Sequence, residues 1–184
     1  DKNGKMTSFE YDDYGNLTKV TDPRGTETTY NLDYTDFVLG RISSVQVVNT
    51  TQSYNKTVAE YDYYEPSGLV QWIKTLKPGT TDGSTVQTNF TYDSLGNILT
   101  VDAPGNNAAT RIVTTYNYTT DGGYSQSTKL GQPLTVTDNL GHVTHFRYDA
   151  RGNIISVTDA IGNVTKYSYN IAGQRVLTVL PASQ

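Results

Sequence analysis

The sequence predicts an all-β fold: tandem β-hairpins joined edge to edge in one continuous, twisted antiparallel sheet. Three observations carry this. Tyr and Gly are abundant, at 15 and 16 of 184 residues, alongside much Thr and Asn. Thr and Tyr favour a pleated, half-buried surface, and Gly and Asn punctuate turns. Helix formers in sustained 3.6-residue periodicity are missing. Finally, the chain repeats itself.

Four stretches are nearly alike: FEYDDYGNLTKVTDPRG from Phe9, FTYDSLGNILTVDAPG from Phe90, FRYDARGNIISVTDAIG from Phe146 and YSYNIAGQRVLTVLP from Tyr167. Their frame is aromatic-x-Tyr-Asp-x-x-Gly-Asn-(Leu/Ile), then Val-Thr-Asp, two residues and Gly. Weaker copies begin at Tyr30, Tyr61 and Tyr116, the first with Leu32 in the second aromatic slot. That slot falls at 11, 32, 63, 92, 118, 148 and 169, so the core unit is 21 residues and longer intervals carry insertions. A fixed period of this length marks a repeat architecture.

Asp-x-x-Gly sets Asp at the first corner of a type I β-turn and Gly at the fourth. Seven such turns are predicted: Asp12–Gly15, Asp22–Gly25, Asp93–Gly96, Asp138–Gly141, Asp149–Gly152, Asp159–Gly162 and Asn170–Gly173. The segments between consecutive turns have ordinary strand length. Alternation places Thr144, Phe146 and Tyr148 on one face, as it does Thr165, Tyr167 and Tyr169. Stacked unit on unit, these positions predict a continuous aromatic stripe. Leu17 and Val20 are three apart, as are Ile154 and Val157, which implies either a bulge or two partly covered faces.

Polar, Gly-containing insertions lie near 33–40, 49–56, 76–85, 103–110 and 119–131. They have the character of exposed hairpin tips. The repeat resumes in frame after each, so residues 1–184 are expected to form one array of about seven units. The structural repeat positions are Tyr11, Asp12, Gly15, Tyr92, Asp93, Gly96, Tyr148, Asp149, Gly152, Tyr169, Asn170 and Gly173. Tyr54 and Tyr124 fall in insertions and are the candidate contact residues.

Composition narrows the function classes. A formal net charge of −4 lacks the footprint of a nucleic-acid binder. No apolar run approaches the roughly 18 residues of a membrane span. There is no cysteine, so disulfides and thiolate metal sites are excluded. The beginning DKNGKMTSFEYDDYG has no charged-then-apolar leader, and a segment of a longer chain is expected. His142 and His145, three apart on a strand, point to opposite faces and make no chelating pair. The aspartates recur once per turn, as caps do and catalytic pairs do not. No Gly-x-Ser-x-Gly, phosphate-binding loop or dinucleotide fingerprint occurs. No catalytic residue, cofactor or metal ligand is therefore expected. Six Asn-x-Ser/Thr sequons, at Asn16, Asn49, Asn55, Asn89, Asn117 and Asn163, are unsurprising in so Asn- and Thr-rich a chain.

The frame resembles the tyrosine-aspartate (YD) repeat of bacterial Rhs proteins, shared with the wall-associated protein family, insecticidal toxin-complex B and C components and animal teneurins. The resemblance implies a segment of a spiralling β-shell in a large secreted or surface protein. In the toxin relatives that shell encloses a C-terminal toxin; in the animal relatives it serves adhesion. The partners implied are neighbouring repeats of the parent chain and a toxin cargo. Alternatives are identical copies end to end in an adhesive filament, or cell-surface glycans bound by a tyrosine platform. The toxin proteins end their shell with a self-cleaving Pro-x4-Asp-Pro-x-Gly-Leu motif. Here Asp22-Pro23-Arg24-Gly25 is followed by Thr26 and reads as a turn.

Overall fold

A computed structural model describes residues 6–34, 40–105, 110–122, 124–125 and 131–181, with Tyr124 and Ser125 described by their backbone alone. The strands are β1 (Ser8–Tyr11), β2 (Leu17–Thr21), β3 (Glu27–Asp33), β4 (Arg41–Asn49), β5 (Tyr54–Tyr64), β6 (Leu69–Leu76), β7 (Thr85–Tyr92), β8 (Ile98–Pro104) and β9 (Arg111–Asn117). They continue as β10 (Thr120–Asp121), β11 (Tyr124–Ser125), β12 (Thr135–Thr137), β13 (Val143–Tyr148), β14 (Ile154–Thr158), β15 (Val164–Tyr169) and β16 (Arg175–Val179). Fourteen of them form one antiparallel sheet in chain order, while β10 and β11 pair as a separate small hairpin between β9 and β12. Contacts divide the chain into two compact units, Asp1–Asn89 and Phe90–Gln184, with the boundary inside β7.

Each Asp-x-x-Gly closes a three-residue loop. The Asp149 N–H donates to the Asn153 carbonyl at 2.9 Å, and the Gly152 N–H returns to the Asp149 carbonyl at 3.0 Å. Gly152 takes a φ of 90°. This is a type I turn followed by a left-handed residue, the pattern that joins strands across a bulge. The same pair of backbone bonds closes the other six predicted turns. Glycine is required there because a Cβ is disfavoured at positive φ.

The bulge follows at once. Glu10 pairs with Lys19 but Tyr11 pairs with Leu17, so Thr18 is extra. Arg147/Tyr148 and Ser168/Tyr169 show the same slip. It accounts for the spacing of three between Leu17 and Val20: Tyr11 and Phe9 face one side, and so do their partners Leu17 and Val20.

The aromatic stripe differs from expectation. Phe146 pairs with Val157, and Val157 with Thr165. Ring-bearing strands therefore alternate with Val- and Thr-bearing strands. Val20 stands opposite Phe9 and Val157 opposite Phe146, while Thr178 stands opposite Tyr167. The row is ring–aliphatic, matching aromatic and β-branched cross-strand pairing.

In the first unit, Thr75, Ala59, Val45 and Tyr30 lie in one cross-strand row, with Ala59 buried. One residue along, Lys74, Glu60, Ser44 and Asn31 form a row on the opposite face. These two rows separate mainly apolar from polar side chains, although Trp72 shares the face of Lys74, whose ammonium lies 5.3 Å from its ring. In the second unit Leu134 is fully buried. Its N–H donates to the Asn117 carbonyl at 2.7 Å and its carbonyl accepts from Phe146 at 2.8 Å.

The insertions are shorter than their sequence bounds. Strand pairing extends into 49–56 and 76–85, leaving loops only at 50–53 and 77–84. Tyr54, expected at a loop tip, is instead the first residue of β5, half-buried and paired with Asn49. The 119–131 insertion contains the β10–β11 hairpin, in which Asp121 pairs with Tyr124. The Tyr124 side chain lies outside the described residues.

Candidate functional site

Two devices recur along the chain, one in the turn and one between neighbouring strands. In the turn, Asp149 Oδ1 accepts the N–H groups of Arg151 and Asn153, both at 2.9 Å. Its second oxygen accepts the Asn153 side-chain amide at 2.8 Å. Asp93 with Asn97, Asp159 with Asn163 and Asp12 with Asn16 repeat this arrangement. His142 takes the amide's place at Asp138, its Nδ1 lying 2.9 Å from the carboxylate. Asn170, in the last turn, accepts the N–H groups of Ala172 and Gln174 at 3.0 Å. Hydrogen bonding to the anion favours the charged form. The side-chain amide of Asn97, Asn153 or Asn163 accordingly holds Asp93, Asp149 and Asp159 below the usual carboxylate range. Where Asn follows the turn Gly, at Asn16, Asn97, Asn153 and Asn163, it is therefore a second cap, visible in the sequence as part of the frame but without an evident role there.

The second device joins each unit to the strand before it. The Tyr148 hydroxyl donates to the Pro133 carbonyl at 2.9 Å, and Tyr169 to Ile154 at 2.8 Å. Tyr63 donates to Ile42 at 2.8 Å and Tyr118 to Ile98 at 3.0 Å. In all four cases the acceptor lies within two residues of the start of the preceding strand. The phenol gives that carbonyl a hydrogen-bond donor. Burial raises the Tyr63 and Tyr118 phenols above their usual value. The frame tyrosine is thus both an apolar wedge and a donor. Tyr11 lies on β1, first in the sheet order, and is exposed.

Ion pairs link neighbouring strands. Lys19 reaches Glu10 at 2.7 Å, Lys74 reaches Glu60 at 3.0 Å and Arg111 reaches Asp102 at 2.7 Å. Of the ion-paired carboxylates among the described residues, the most enclosed is Asp121 of the β10–β11 hairpin. It lies 2.7 Å from both His145 Nδ1 and Arg147 Nη1 of β13. Burial raises its pKa, but the hydrogen bonds from His145 and Arg147 outweigh this and hold it below the ordinary value. The cluster fastens the inserted hairpin to the sheet. The two histidines, expected on opposite faces, engage different carboxylates, Asp138 and Asp121. His145 is a strand residue with a paired ring, not a solvent or loop-edge one.

An open trough of about 290 Å³ lies on the first unit, lined by Lys56, Glu60, Lys74, Asp82 and Thr85 among others. Its lysines are engaged, Lys74 with Glu60 and Lys56 with the Thr81 carbonyl at 2.8 Å. Among the described residues no group of three or more His, Cys, Asp or Glu is placed to hold a metal. Several sequon amides are occupied: Asn16 and Asn163 cap turns, Asn49 is buried on Thr26, and Asn117 donates to the Thr120 carbonyl.

Strands in chain order, seven of their corners closed by the same turn and four tied to the preceding strand by a tyrosine, define a structural β-repeat scaffold. The RHS Repeat family model matches residues 1–27, 11–53, 129–160 and 148–183, more than half of the chain. The chain belongs to the RHS-repeat family.

Two solved structures share the fold. "Crystal Structure of TcdB2-TccC3-TEV" matches with a TM-score of 0.52 and 15% identity over 96% of this chain and 10% of that chain. "Crystal Structure of TcdB2-TccC3 without hypervariable C-terminal region" matches with a TM-score of 0.50 and 15% identity over 92% of this chain and 10% of that one. The chain thus spans about a tenth of the length of these structures. No curated protein matches the sequence.

Proposed function

We propose that residues 1–184 are one continuous section of the wall of a β-shell, in a longer secreted or surface protein whose C-terminal toxin the shell encloses. The work is mechanical: a closed ribbon keeps water-borne proteases from a cargo. Neighbouring repeats of the parent chain are the first partners, and the cargo is the second. No step of this function requires a catalytic group or cofactor.

The observation that carries the reading is the phenol-to-carbonyl bond repeated at Tyr63, Tyr118, Tyr148 and Tyr169. A wall must resist splaying between adjacent strands, and a donor placed at the same point of successive units supplies that resistance. The family and the shared fold support it.

The test is limited proteolysis of the parent polypeptide. A cargo segment that stays intact until the repeats unfold in denaturant supports the proposal. A cargo segment digested at the same rate as a free copy of itself overturns it.

A further inference from the structure

Tyr14 and Tyr34 are held together by features that the repeat frame does not need. Tyr14 occupies a corner of the first turn and is 68% exposed; Tyr34 follows β3 and is 38% exposed. Their ring centroids lie 5.6 Å apart with planes tilted by 38°. The Tyr34 hydroxyl donates to the Asp12 carboxylate, and the Asn16 amide lies 3.5 Å from the same hydroxyl. One edge of the Tyr34 ring rests over Gly40, where an added Cβ would sit 2.6 Å from Cε1. Gly40 therefore admits the ring, Asp12 fixes its hydroxyl, and Cε2 is left on the other edge.

We propose that Tyr14 and Tyr34 form an oxidative coupling site, joined by a one-electron oxidant of the haem-peroxidase class, with hydrogen peroxide, into an intrachain dityrosine. Each phenol loses one electron and its hydroxyl proton, and the Asp12 carboxylate receives the proton of Tyr34. The two radicals form a carbon–carbon bond between ring positions ortho to the hydroxyls. Each ring then shifts its displaced ortho hydrogen to oxygen, restoring both phenols. The net loss is two electrons and two protons, and one hydrogen peroxide is reduced to two waters. The link would tie the β1–β2 turn covalently to the chain leaving β3, across strands otherwise held by non-covalent contacts. A phenol with a carboxylate already in place as acceptor needs no solvent to take its proton. Adjacent rings make coupling faster than diffusion to a second molecule.

The test treats the dilute chain with a plant haem peroxidase and hydrogen peroxide, then maps dityrosine peptides in the monomeric fraction. The expected result is a Tyr14–Tyr34 peptide as the main intrachain link, lost in Tyr14→Phe and in Tyr34→Phe. Asp12→Asn separates proton acceptance from turn capping, since Asn170 already serves as cap in the last turn. It should slow formation of this link, whereas Asp93→Asn should not. Coupling spread evenly over exposed tyrosines such as Tyr11, or found only between molecules, overturns the site. A rate unchanged by Asp12→Asn overturns the role of the carboxylate. Circular dichroism of each variant confirms that the sheet persists.

Discussion

The Tyr148 hydroxyl donates to the Pro133 carbonyl fifteen residues back in the chain, at 2.9 Å. Tyr148 is buried, so the carbonyl it serves has little access to water. Tyr148→Phe keeps the ring and its contact with Ile154 but leaves that acceptor unpaired. The expected loss is about 1–3 kcal/mol, read as a lower urea midpoint with an unchanged slope. Tyr14→Phe, at an exposed turn corner, serves as the control and should move the midpoint far less.

Leu32 stands where the frame places tyrosine. It pairs with Ile42 across the same register slip that accompanies Tyr148 and Tyr169. By analogy, the carbonyl a tyrosine there would reach is that of Leu17, fifteen residues back. Leu32→Tyr is therefore expected to stabilise the first unit by about 0.5–1.5 kcal/mol, measured by denaturant unfolding. A destabilised variant would mean that the four observed tyrosine bonds do not transfer to this position.

Gly152 has a φ of 90° at the exit of its turn. A β-branched side chain is poorly tolerated in that region. Gly152→Val should cost about 1–3 kcal/mol and lower the melting temperature. An unchanged melting temperature would show that the turn can re-form without a left-handed residue.

Acid should loosen the turns together. The Tyr34 hydroxyl pulls the Asp12 carboxyl down to about 2 from 3.8. Side-chain amides lower Asp93, Asp149 and Asp159, and the His142 ring does the same for Asp138. A carboxyl depressed by folding contributes stability that is fully present above its unfolded pKa. That contribution is lost as pH falls through the folded value. Stability should therefore hold above about pH 5 and decline steadily below it. Replacing Asp93, Asp149 and Asp159 together with Asn should flatten that decline, as followed by chemical denaturation across the acid range.

The turns were legible because Asp-x-x-Gly is a local rule: all its hydrogen bonds close within five residues. The strand order followed from the same locality. The bulge at Thr18 was half legible, since the spacing of Leu17 and Val20 demanded it or a second covered face. The Asn16 and Asn153 caps stood in the frame, yet their spacing of four from Asp acquires meaning only once the turn is built. The row of rings was read without its partners, because alternation assigns faces but not cross-strand neighbours; Val157 occupies the place between Phe146 and the next ring-bearing strand. The clamp of Asp121 on His145 and Arg147 links an insertion to a strand more than twenty residues on, where no periodicity points. Tyr54 was misplaced at a tip because β4 and β5 outlast the repeat length, carrying their pairing to Asn49 and Tyr54.

Each of the seven Asp/Asn-x-x-Gly corners closes its two backbone hydrogen bonds within five residues, so the turn itself is defined locally. An in-frame duplication or deletion of a whole unit would leave each remaining corner intact. It would lengthen or shorten the sheet by two strands, about 9.5 Å. Genes for such chains can thus change the size of what they build by recombination between their own copies, without passing through a sequence that cannot fold.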